Sequence, residues 1–448
     1  MKNVINAVEK YRDLMVEAEK YIWERPETGF REVQASAYMA AQFEKLGYTL
    51  TYAEEITGFC TEIDTGRAGP TVLVLAELDA VLCPAHPDAD PTTGAVHACG
   101  HHAQCAAMLG VAGALKDEKV RSGLCGKIRL CCVPAEECIE TEYRQNLRKA
   151  GKIKYLGGKC EFLSRGLFDG VDLAFMVHSG GGRSASVNLG GDDGFVAKTV
   201  RYKGKTAHAA CGAWLGKNAL YAAINGLNAA NALRETFQDW NKVRWSAIIT
   251  RGGEATNNIP DETVVEGVLR AANYEALERE NKKINRALIG AALSFGAQVE
   301  IDEEFGYAPL HNDERLSMLA KEAFDGLGWE YPCGVYGQGQ MGAGATDMGD
   351  LSAIMPVIHP YIGGAIGQGH GADWRIENFE LACVMSAKWQ TATIKLLLEN
   401  GGARAKEIID NYKPSFSSKE EFLVYKDGWR KVGDRLVYRA DDSVEVLE

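Results

Sequence analysis

Cysteine, histidine and glutamate side chains, which often ligate transition metals, stand beside turns in this sequence. The first group is HACGHH at residues 97–102, which follows a loop rich in Pro and Gly and precedes a predicted helix. A thiolate and an imidazole two residues apart can both face one metal ion, because Gly100 between them lets the backbone bend tightly. Taken alone, Cys99 and His101 also suit a buried thiol beside a surface histidine.

Two adjacent carboxylates form the second group, since Glu136 and Glu137 follow almost directly after the apolar run 127–133. Two neighbouring carboxylates are costly to bury together, because each disfavours ionisation of the other. A bound cation would remove that cost. The alternative is an acidic turn that remains in solvent.

Two more histidines stand near strand ends or in glycine-rich turns. His178 follows the apolar run 171–177, and His370 lies in GQGHGAD at 367–373. In open α/β sheets, ligands bind outside the carboxyl ends of the strands. The metal-ligand candidates are Cys99, His101, Glu137, His178 and His370. Five ligands exceed the usual number for one tetrahedral ion, whereas two ions sharing a bridging thiolate and water would use all five and leave Glu136 beside them.

The surrounding elements alternate between strand and helix. Apolar runs at 71–76 and 127–133 read as buried strands, and a helical pattern at 104–115 lies between them. Residues 4–48 read as two helices joined by the turn PETG at 26–29. Together these patterns predict an α/β layer with mostly buried strands.

A glycine-rich passage near residue 190 marks a change of domain. The next hundred residues read as strands and helices in the order of an α+β sandwich, and an α/β pattern resumes afterwards, so the second domain is predicted to be an insertion. In the C-terminal tail, FLVY at 422–425 and RLVY at 435–438 predict two strands around a hairpin signal at Asp427-Gly428. The predicted boundaries are 1–191 and 307–402 for the first domain, 192–306 for the insertion, and 403–448 for a C-terminal extension.

Composition excludes several classes of protein. The chain has 448 residues, and 49 Lys and Arg against 61 Asp and Glu give a net charge of -12, which disfavours a nucleic-acid partner. No apolar stretch approaches the length of a membrane-spanning helix, and the N-terminus is a charged amphipathic helix without the features of a signal peptide. We therefore expect a cytoplasmic protein with no membrane or nucleic-acid partner, whose twelve cysteines are reduced thiols.

Six motifs in this order carry a resemblance to a known family. They are ERPETGF at 24–30, HACGH at 97–101, PAEE at 134–137, GKTAHAA at 204–210, GGEATNNIPD at 252–261 and TDMGD at 346–350. From about residue 20 to 400, the chain resembles the metal-dependent amidohydrolase and peptidase family that includes aminoacylases, indole-acetyl-amino acid hydrolases and aminobenzoyl-glutamate hydrolases.

The resemblance implies an α/β catalytic domain with a two-metal site, interrupted by a smaller α+β lid and dimerisation domain through which a homodimer forms. It implies that Cys99 is the bridging thiolate and that Glu136 is the general base. It also implies that His208 of the lid stabilises the oxyanion and that Asn258 lines the substrate pocket. The reaction expected is hydrolysis of an amide bond in a small molecule, namely an N-acyl or N-aroyl amino acid or a dipeptide. Zinc is the expected metal, although manganese, cobalt or nickel suits the same ligands.

Several positions depart from the family pattern. His102 stands where the closest members usually have Asp, and the strand motif, which usually has two Asp residues flanking one residue, reads Glu77-Leu78-Asp79 here. Asp79 is expected to orient a ligand. The loop 82–93 and the stretch 139–168 are long and could shape the pocket.

The residue that recognises a substrate carboxylate is less clearly marked. Arg270 is one candidate, although an exposed ion-pairing Arg is the alternative. The basic residues from Arg144 to Lys154 are either a second candidate or a solvated face.

Two other functions compete with the metal-dependent hydrolase. A cysteine hydrolase would use Cys99 with His101, but it would leave Glu136, Glu137 and His178 without a role. A non-catalytic homologue that holds metal as a binding or regulatory protein would need neither Glu136 nor His208.

Overall fold

The apolar run predicted as a buried strand forms the centre of a sheet. In the computed structural model, which describes residues 1–441 and 443–447, the strand Thr71–Glu77 is buried at all seven positions. Strands buried on both faces read as continuous apolar runs, which explains the sequence pattern. The sheet has six strands, in the order Thr51–Tyr52, Phe59–Asp64, Lys127–Val133, Thr71–Glu77, Leu173–Phe175 and Val357–Ile358.

The last four strands of this sheet are parallel. Their carboxyl ends therefore lie at one edge. The segments that leave this edge contain Asp79, Glu136 with Glu137, His178, and His359. The predicted α/β layer is confirmed, and its topology gathers most of the residues that could carry chemistry.

The helix that connects two of these strands, His101–Ala114, is buried along its whole length and contacts the helices Arg12–Trp23 and Ser386–Leu398. The N-terminal region contains three helices where two were predicted, because the first helical segment is interrupted after Glu9. The α-helices of the first unit are Lys2–Glu9, Arg12–Trp23, Val33–Lys45, His101–Ala114, Glu118–Arg121, Thr141–Lys149, Gly158–Ser164, Glu314–Asp325, Met348–Ser352, Ser386–Leu398 and Ala403–Asn411.

The chain divides into two units. The first contains Met1–Gly191, Leu310–Gly342 and Thr346–Lys419, and the second contains Asp192–Pro309, Ala343–Ala345 and the segment from Glu420 onwards. A further small sheet of the first unit contains His178–Gly181, Ala185–Asn188, Gly334–Tyr336, Tyr361–Ile366 and Arg375–Ile376, and a two-stranded ribbon pairs Val81–Leu82 with Ala95–Val96.

An antiparallel sheet forms the framework of the second unit. Its strands follow the order Arg244–Arg251, Glu262–Ala271, Gly194–Lys203, Gln298–Phe305 and Lys431–Asp434. Burial alternates along Gln298–Phe305, as expected for a strand with one covered face. The helices Ala219–Ala232 and Tyr274–Ser294 pack on the sheet, so the predicted α+β character is confirmed.

The predicted hairpin in the C-terminal tail is wrong in its first half. Residues Lys419–Gly428 form a helix, and Phe422 and Lys426 are buried at the four-residue spacing of one helical face. The apolar run FLVY resembles a strand locally, but ring contacts of Tyr425 with Tyr274 and Phe305 hold it in the second unit as a helix. The second half is a strand as predicted, since Leu436–Tyr438 pairs with Val444–Val446.

Within residues 1–441 and 443–447, no helix combines the length and the apolar character that crossing a bilayer requires.

Candidate metal centre

The turn before the buried helix brings Cys99 and His101 to one place. Gly100 between them has a φ of 91°, in the left-handed region that glycine adopts without strain. A Cβ atom at this position would lie 3.0 Å from the Ser179 side chain and 3.2 Å from the Trp374 ring. Both the backbone conformation and the packing therefore favour glycine between Cys99 and His101.

Glu136 and Glu137 lie in a loop that is held from two sides. The backbone N–H of Ala135, which has a positive φ of 57°, donates to the buried Glu32 carboxylate at 2.8 Å. The N–H of Glu137 donates to Asp79 Oδ2 at 2.8 Å. Both glutamates are buried, so the acidic turn in solvent that was the alternative prediction is wrong.

Arg144 stabilises the same loop through hydrogen bonds to its backbone. Its buried guanidinium donates hydrogen bonds to the carbonyl oxygens of Ala135, Glu137 and Leu156. Sequence analysis placed Arg144 on a solvated face or in a substrate pocket, and both interpretations are wrong. It lies on the helix Thr141–Lys149, within the stretch predicted to be unusually long.

Each candidate histidine directs one ring nitrogen towards the cluster. His178 places Nδ1 2.8 Å from the Ser179 carbonyl oxygen and Nε2 3.3 Å from Cys99 Sγ. His370 places Nε2 3.3 Å from Cys99 Sγ and 3.2 Å from Glu137 Oε1. A ring nitrogen fixed by the backbone orients the other nitrogen for a metal, which is the usual arrangement of a ligating histidine.

The ligand atoms form two groups that share the thiol. Cys99, His101 and His178 make one group, and Cys99, Glu137 and His370 make the other, with all atoms of each group within 4.8 Å of one another. The five residues are the set that sequence analysis predicted, and the structure brings them together. Their thiolate, imidazole and carboxylate donors are of the types that hold divalent transition-metal ions.

The two adjacent glutamates have opposite electrostatic environments. Burial, together with the carboxylates of Glu77 and Glu137, raises the pKa of Glu136 well above its usual value. The pKa of Glu137 is lowered, because the neighbouring His370 outweighs the opposing effect of burial. The raised pKa suits a carboxyl group that exchanges a proton, and the lowered pKa suits one that stays ionised, as a metal ligand must.

The buried histidines and the thiol also have shifted pKa values. Burial and the neighbouring His101 lower the pKa of His178 to about 4, so its ring is neutral at pH 7, as a metal ligand must be. Burial and the Glu137 carboxylate raise the pKa of the Cys99 thiol. A bound cation would reverse that shift, because thiols that coordinate a metal are deprotonated.

Three predicted residues lie in the second unit. His208 and Asn258 pair in an isolated β-bridge and are exposed. His208 Nδ1 accepts the N–H groups of Ala210 and Cys211, each at 3.1 Å, so Nε2 carries the ring proton. Arg270 lies on the strand Glu262–Ala271 and donates to the Ala343 carbonyl oxygen at 3.4 Å. The cluster in the first unit is built without these three residues, and their roles stay predictions.

Sequence analysis missed several buried residues beside the ligands. Lys159 is fully buried and forms ion pairs with Glu77 and Asp347. His359 is buried, and the distance between its ring centroid and that of His178 is 5.5 Å. Asp347 lies in one of the six family motifs, but no local pattern marks Lys159 or His359.

Comparison with known proteins establishes the family. Residues 73–394 match the family model described as peptidase family M20/M25/M40. The chain belongs to this peptidase family. The predicted amidohydrolase and peptidase family is thereby confirmed, and so is the predicted class of enzyme, a metal-dependent hydrolase of amide bonds.

Relatives with named activities extend over most of the chain. An Xaa-Arg dipeptidase from Mus musculus is 30% identical over 355 residues, which cover 76% of this chain and 74% of the relative. An N-acetyl-L-cysteine deacetylase from Bacillus subtilis is 27% identical over 316 residues, which cover 68% and 70%. A crystal structure of a dinuclear metal-binding M20 peptidase from Bacillus subtilis has a TM-score of 0.62 and 21% identity, and the match covers 87% of this chain and 99% of that protein.

Proposed function

We propose that this chain hydrolyses the amide bond of an N-acyl amino acid, an N-aroyl amino acid or a dipeptide with two divalent metal ions. His101 and His178 would hold one ion, Glu137 and His370 would hold the other, and Cys99 would bridge them. The observation that carries the proposal is the position of Cys99 Sγ, which lies 3.3 Å from a ring nitrogen of both His178 and His370. One thiol is thus shared by two ligand groups.

The ions would supply a water nucleophile at neutral pH and would polarise the substrate carbonyl. Glu136 is the proton carrier of the proposal, because its raised pKa suits a carboxyl group that takes a proton and later gives it to the leaving amine. His208 would donate from Nε2 to the oxyanion, a role supported by the two N–H groups that occupy its Nδ1. Zinc is the proposed metal, since thiolate and imidazole ligands favour it over magnesium or calcium.

The relatives narrow the substrates to test. Their names describe the removal of an acyl group from cysteine and the cleavage of dipeptides that end in arginine. We propose that the leaving amine is an amino acid, with dipeptides ending in a basic residue as the first candidates.

A hydrolysis screen tests this proposal. Zinc-loaded protein is incubated with N-acetyl, N-benzoyl and aminobenzoyl amino acids and with dipeptides ending in Arg, Lys or Ala, and the released amine is measured. We expect release that a chelator abolishes and that zinc restores. Release that survives complete chelation would favour the cysteine hydrolase instead. A protein that binds two ions but cleaves none of these compounds would favour the non-catalytic homologue.

We also propose that the second unit is the lid and dimerisation domain. Large apolar side chains are exposed on this unit, among them Trp214, Tyr221 and Ile248. A dimer interface would cover such side chains, since contiguous exposed apolar patches mark surfaces that bind another protein. Light scattering should give the mass of a dimer, and Tyr221→Glu with Ile248→Glu should give a monomer. Val33→Glu, at an exposed apolar position of the first unit, is the control that should leave the dimer intact.

A further inference from the structure

A third carboxylate reaches the metal centre from the end of the central strand. Glu77 is the last residue of Thr71–Glu77, and its side chain is almost completely buried. One carboxylate oxygen, Oε1, pairs with Lys159. The other, Oε2, accepts a hydrogen bond from Gln104 Nε2 at 2.9 Å and lies 3.1 Å from His101 Nε2. The Glu77 carboxylate is therefore fixed in one orientation, with Oε2 facing the ligand cluster.

The spacing between Glu77 and His101 matches that of the proposed ligand pairs. Cys99 Sγ lies 3.3 Å from His178 Nε2, and His370 Nε2 lies 3.2 Å from Glu137 Oε1. Two ligand atoms that bind one ion at zinc distances lie about 3 to 3.5 Å apart. Glu77, His101 and Glu136 also form a third group of candidate ligand atoms within 4.8 Å of one another.

The hydrogen bonding of His101 leaves Nε2 available to a metal ion between the two side chains. Its Nδ1 lies 2.9 Å from the carbonyl oxygen of Asp79, which can only accept, so Nδ1 carries the proton of the neutral ring. Nε2 then presents a lone pair. This buried nitrogen has no hydrogen-bond partner among the described residues, although Glu77 Oε2 is close. A lone pair and a carboxylate oxygen at this distance repel each other unless a proton or a metal ion lies between them, and the proton would be displaced when a metal binds.

We propose that Glu77 is a further ligand of the ion held by His101 and His178. This inference rests on the ligand set given under the proposed function. It would give that ion four protein ligands, Glu77, Cys99, His101 and His178, and would leave the other ion with three, Cys99, Glu137 and His370. The two ions would then differ in affinity.

Lys159 is the positioning residue of this arrangement. Lys159 is the second residue of the helix Gly158–Ser164, and its backbone N–H donates to Asp347 Oδ2 at 2.9 Å. Its ammonium group pairs with both Glu77 and Asp347 and is fully buried, so no substrate can reach it. By occupying Oε1, Lys159 restricts Glu77 to binding through Oε2. It also offsets part of the negative charge that the carboxylates bring to the site.

Metal binding by matched variants tests the inference independently of catalysis. The variants are Glu77→Gln, Glu77→Asp, which keeps the charge beside Lys159 but shortens the side chain, and Lys159→Met. Glu161→Gln is the control, because Glu161 is a buried carboxylate on the same helix that binds the N–H groups of Lys154 and Tyr155. Zinc stoichiometry, zinc competition with a chelator and the visible spectrum of the cobalt-substituted protein are measured, with thermal unfolding as the check on folding.

The wild type should hold two zinc ions of unequal affinity. Both Glu77 variants should lower the affinity for one ion by at least about 10-fold and alter the cobalt spectrum. A change of this size is in line with the effects of residues that support metal ligands. Lys159→Met should lower the affinity for the same ion, and Glu161→Gln should bind both ions with the affinities of the wild type.

Two results separate this inference from the proposed function. Two ions bound with unchanged affinity and an unchanged cobalt spectrum in folded Glu77→Asp would overturn the role of Glu77 alone. If Glu77→Gln does not fold, Glu77→Asp and Lys159→Met decide the question. Two ions retained by Cys99→Ala with wild-type affinity would instead overturn the shared-thiolate site of the proposed function.

Discussion

Asp79 contacts His101 through two oxygens, with its carbonyl oxygen 2.9 Å and its Oδ1 3.2 Å from His101 Nδ1. Its remaining carboxylate oxygen, Oδ2, accepts the backbone N–H of Glu137. One residue thus orients a proposed ligand of each ion, which is the role that sequence analysis expected for Asp79. The carboxyl ends of adjacent parallel strands make this possible, because Asp79 and Glu137 follow paired strands.

We expect Asp79→Asn to lower the affinity of the protein for both ions rather than for one. The amide preserves the shape of the side chain but removes the negative charge that raises the basicity of His101. Loss of such a supporting group lowers metal affinity by roughly 10- to 100-fold. Chelator competition measures the effect on each ion. Weakening of a single ion would show that only one of the two contacts matters.

Replacement of the proposed proton carrier should separate metal binding from turnover. Glu136→Gln removes the ionisable group while preserving its size. We expect the variant to bind zinc as the wild type does and to lose about 10²- to 10⁴-fold in kcat, the usual contribution of a positioned general base. Parallel measurements of zinc content and amine release test this. A variant with the turnover of the wild type would remove Glu136 from the reaction.

Loss of the Arg144 guanidinium should loosen the loop that carries both glutamates. Arg144→Met removes the donor of the Leu156 carbonyl oxygen and one of two donors of the Ala135 and Glu137 carbonyl oxygens, which keep the N–H groups of Gly158 and Ile139. An unsatisfied buried group costs about 1 to 3 kcal/mol, so we expect a clear fall in the free energy of unfolding and weaker zinc binding at Glu137. Thermal unfolding and chelator competition measure the two effects.

Arg148→Met is the matched control for Arg144→Met. Arg148 lies on the same helix, is only partly buried, and donates from Nε to the Lys154 carbonyl oxygen at 2.8 Å through a hydrogen bond that is exposed to solvent. We expect it to change stability and zinc binding little. Equal effects of the two substitutions would indicate that the helix itself, and not the guanidinium of Arg144, supports the loop.

The residues that sequence analysis found and those it missed differ in how they are positioned. Cys99, Glu137 and His178 could be predicted because they stand in turns beside buried strands. Apolar runs and turn residues of this kind can be recognised within a short segment of sequence. Lys159 could not, because its partners Glu77 and Asp347 are 82 and 188 residues away in the chain. Its burial depends on charges that only the tertiary fold brings together.

Glu32 illustrates the same limit and has a consequence for stability. This fully buried carboxylate accepts the Thr57 hydroxyl at 2.6 Å and the Ala135 N–H at 2.8 Å. Burial and the nearby Asp79 carboxylate raise its pKa to about 8, from an ordinary value of 4.5. The folded protein therefore holds a proton on Glu32 in a pH range where the unfolded chain has released it.

A raised carboxyl pKa stabilises the folded state fully below pH 4.5, and this contribution is lost as the pH rises towards about 8. The loss reaches about 1.4 kcal/mol per pH unit for one group. Glu32→Gln has no proton to release, so its stability relative to the wild type should increase across this interval. Urea unfolding of both proteins at each pH and the same zinc concentration measures the difference. Glu62→Gln is the control: Lys127 and Arg129 outweigh burial and lower the Glu62 pKa, so this carboxylate is ionised in both states above pH 4.5. A difference between Glu32→Gln and wild type that stays constant with pH would show that Glu32 is ionised in the folded protein.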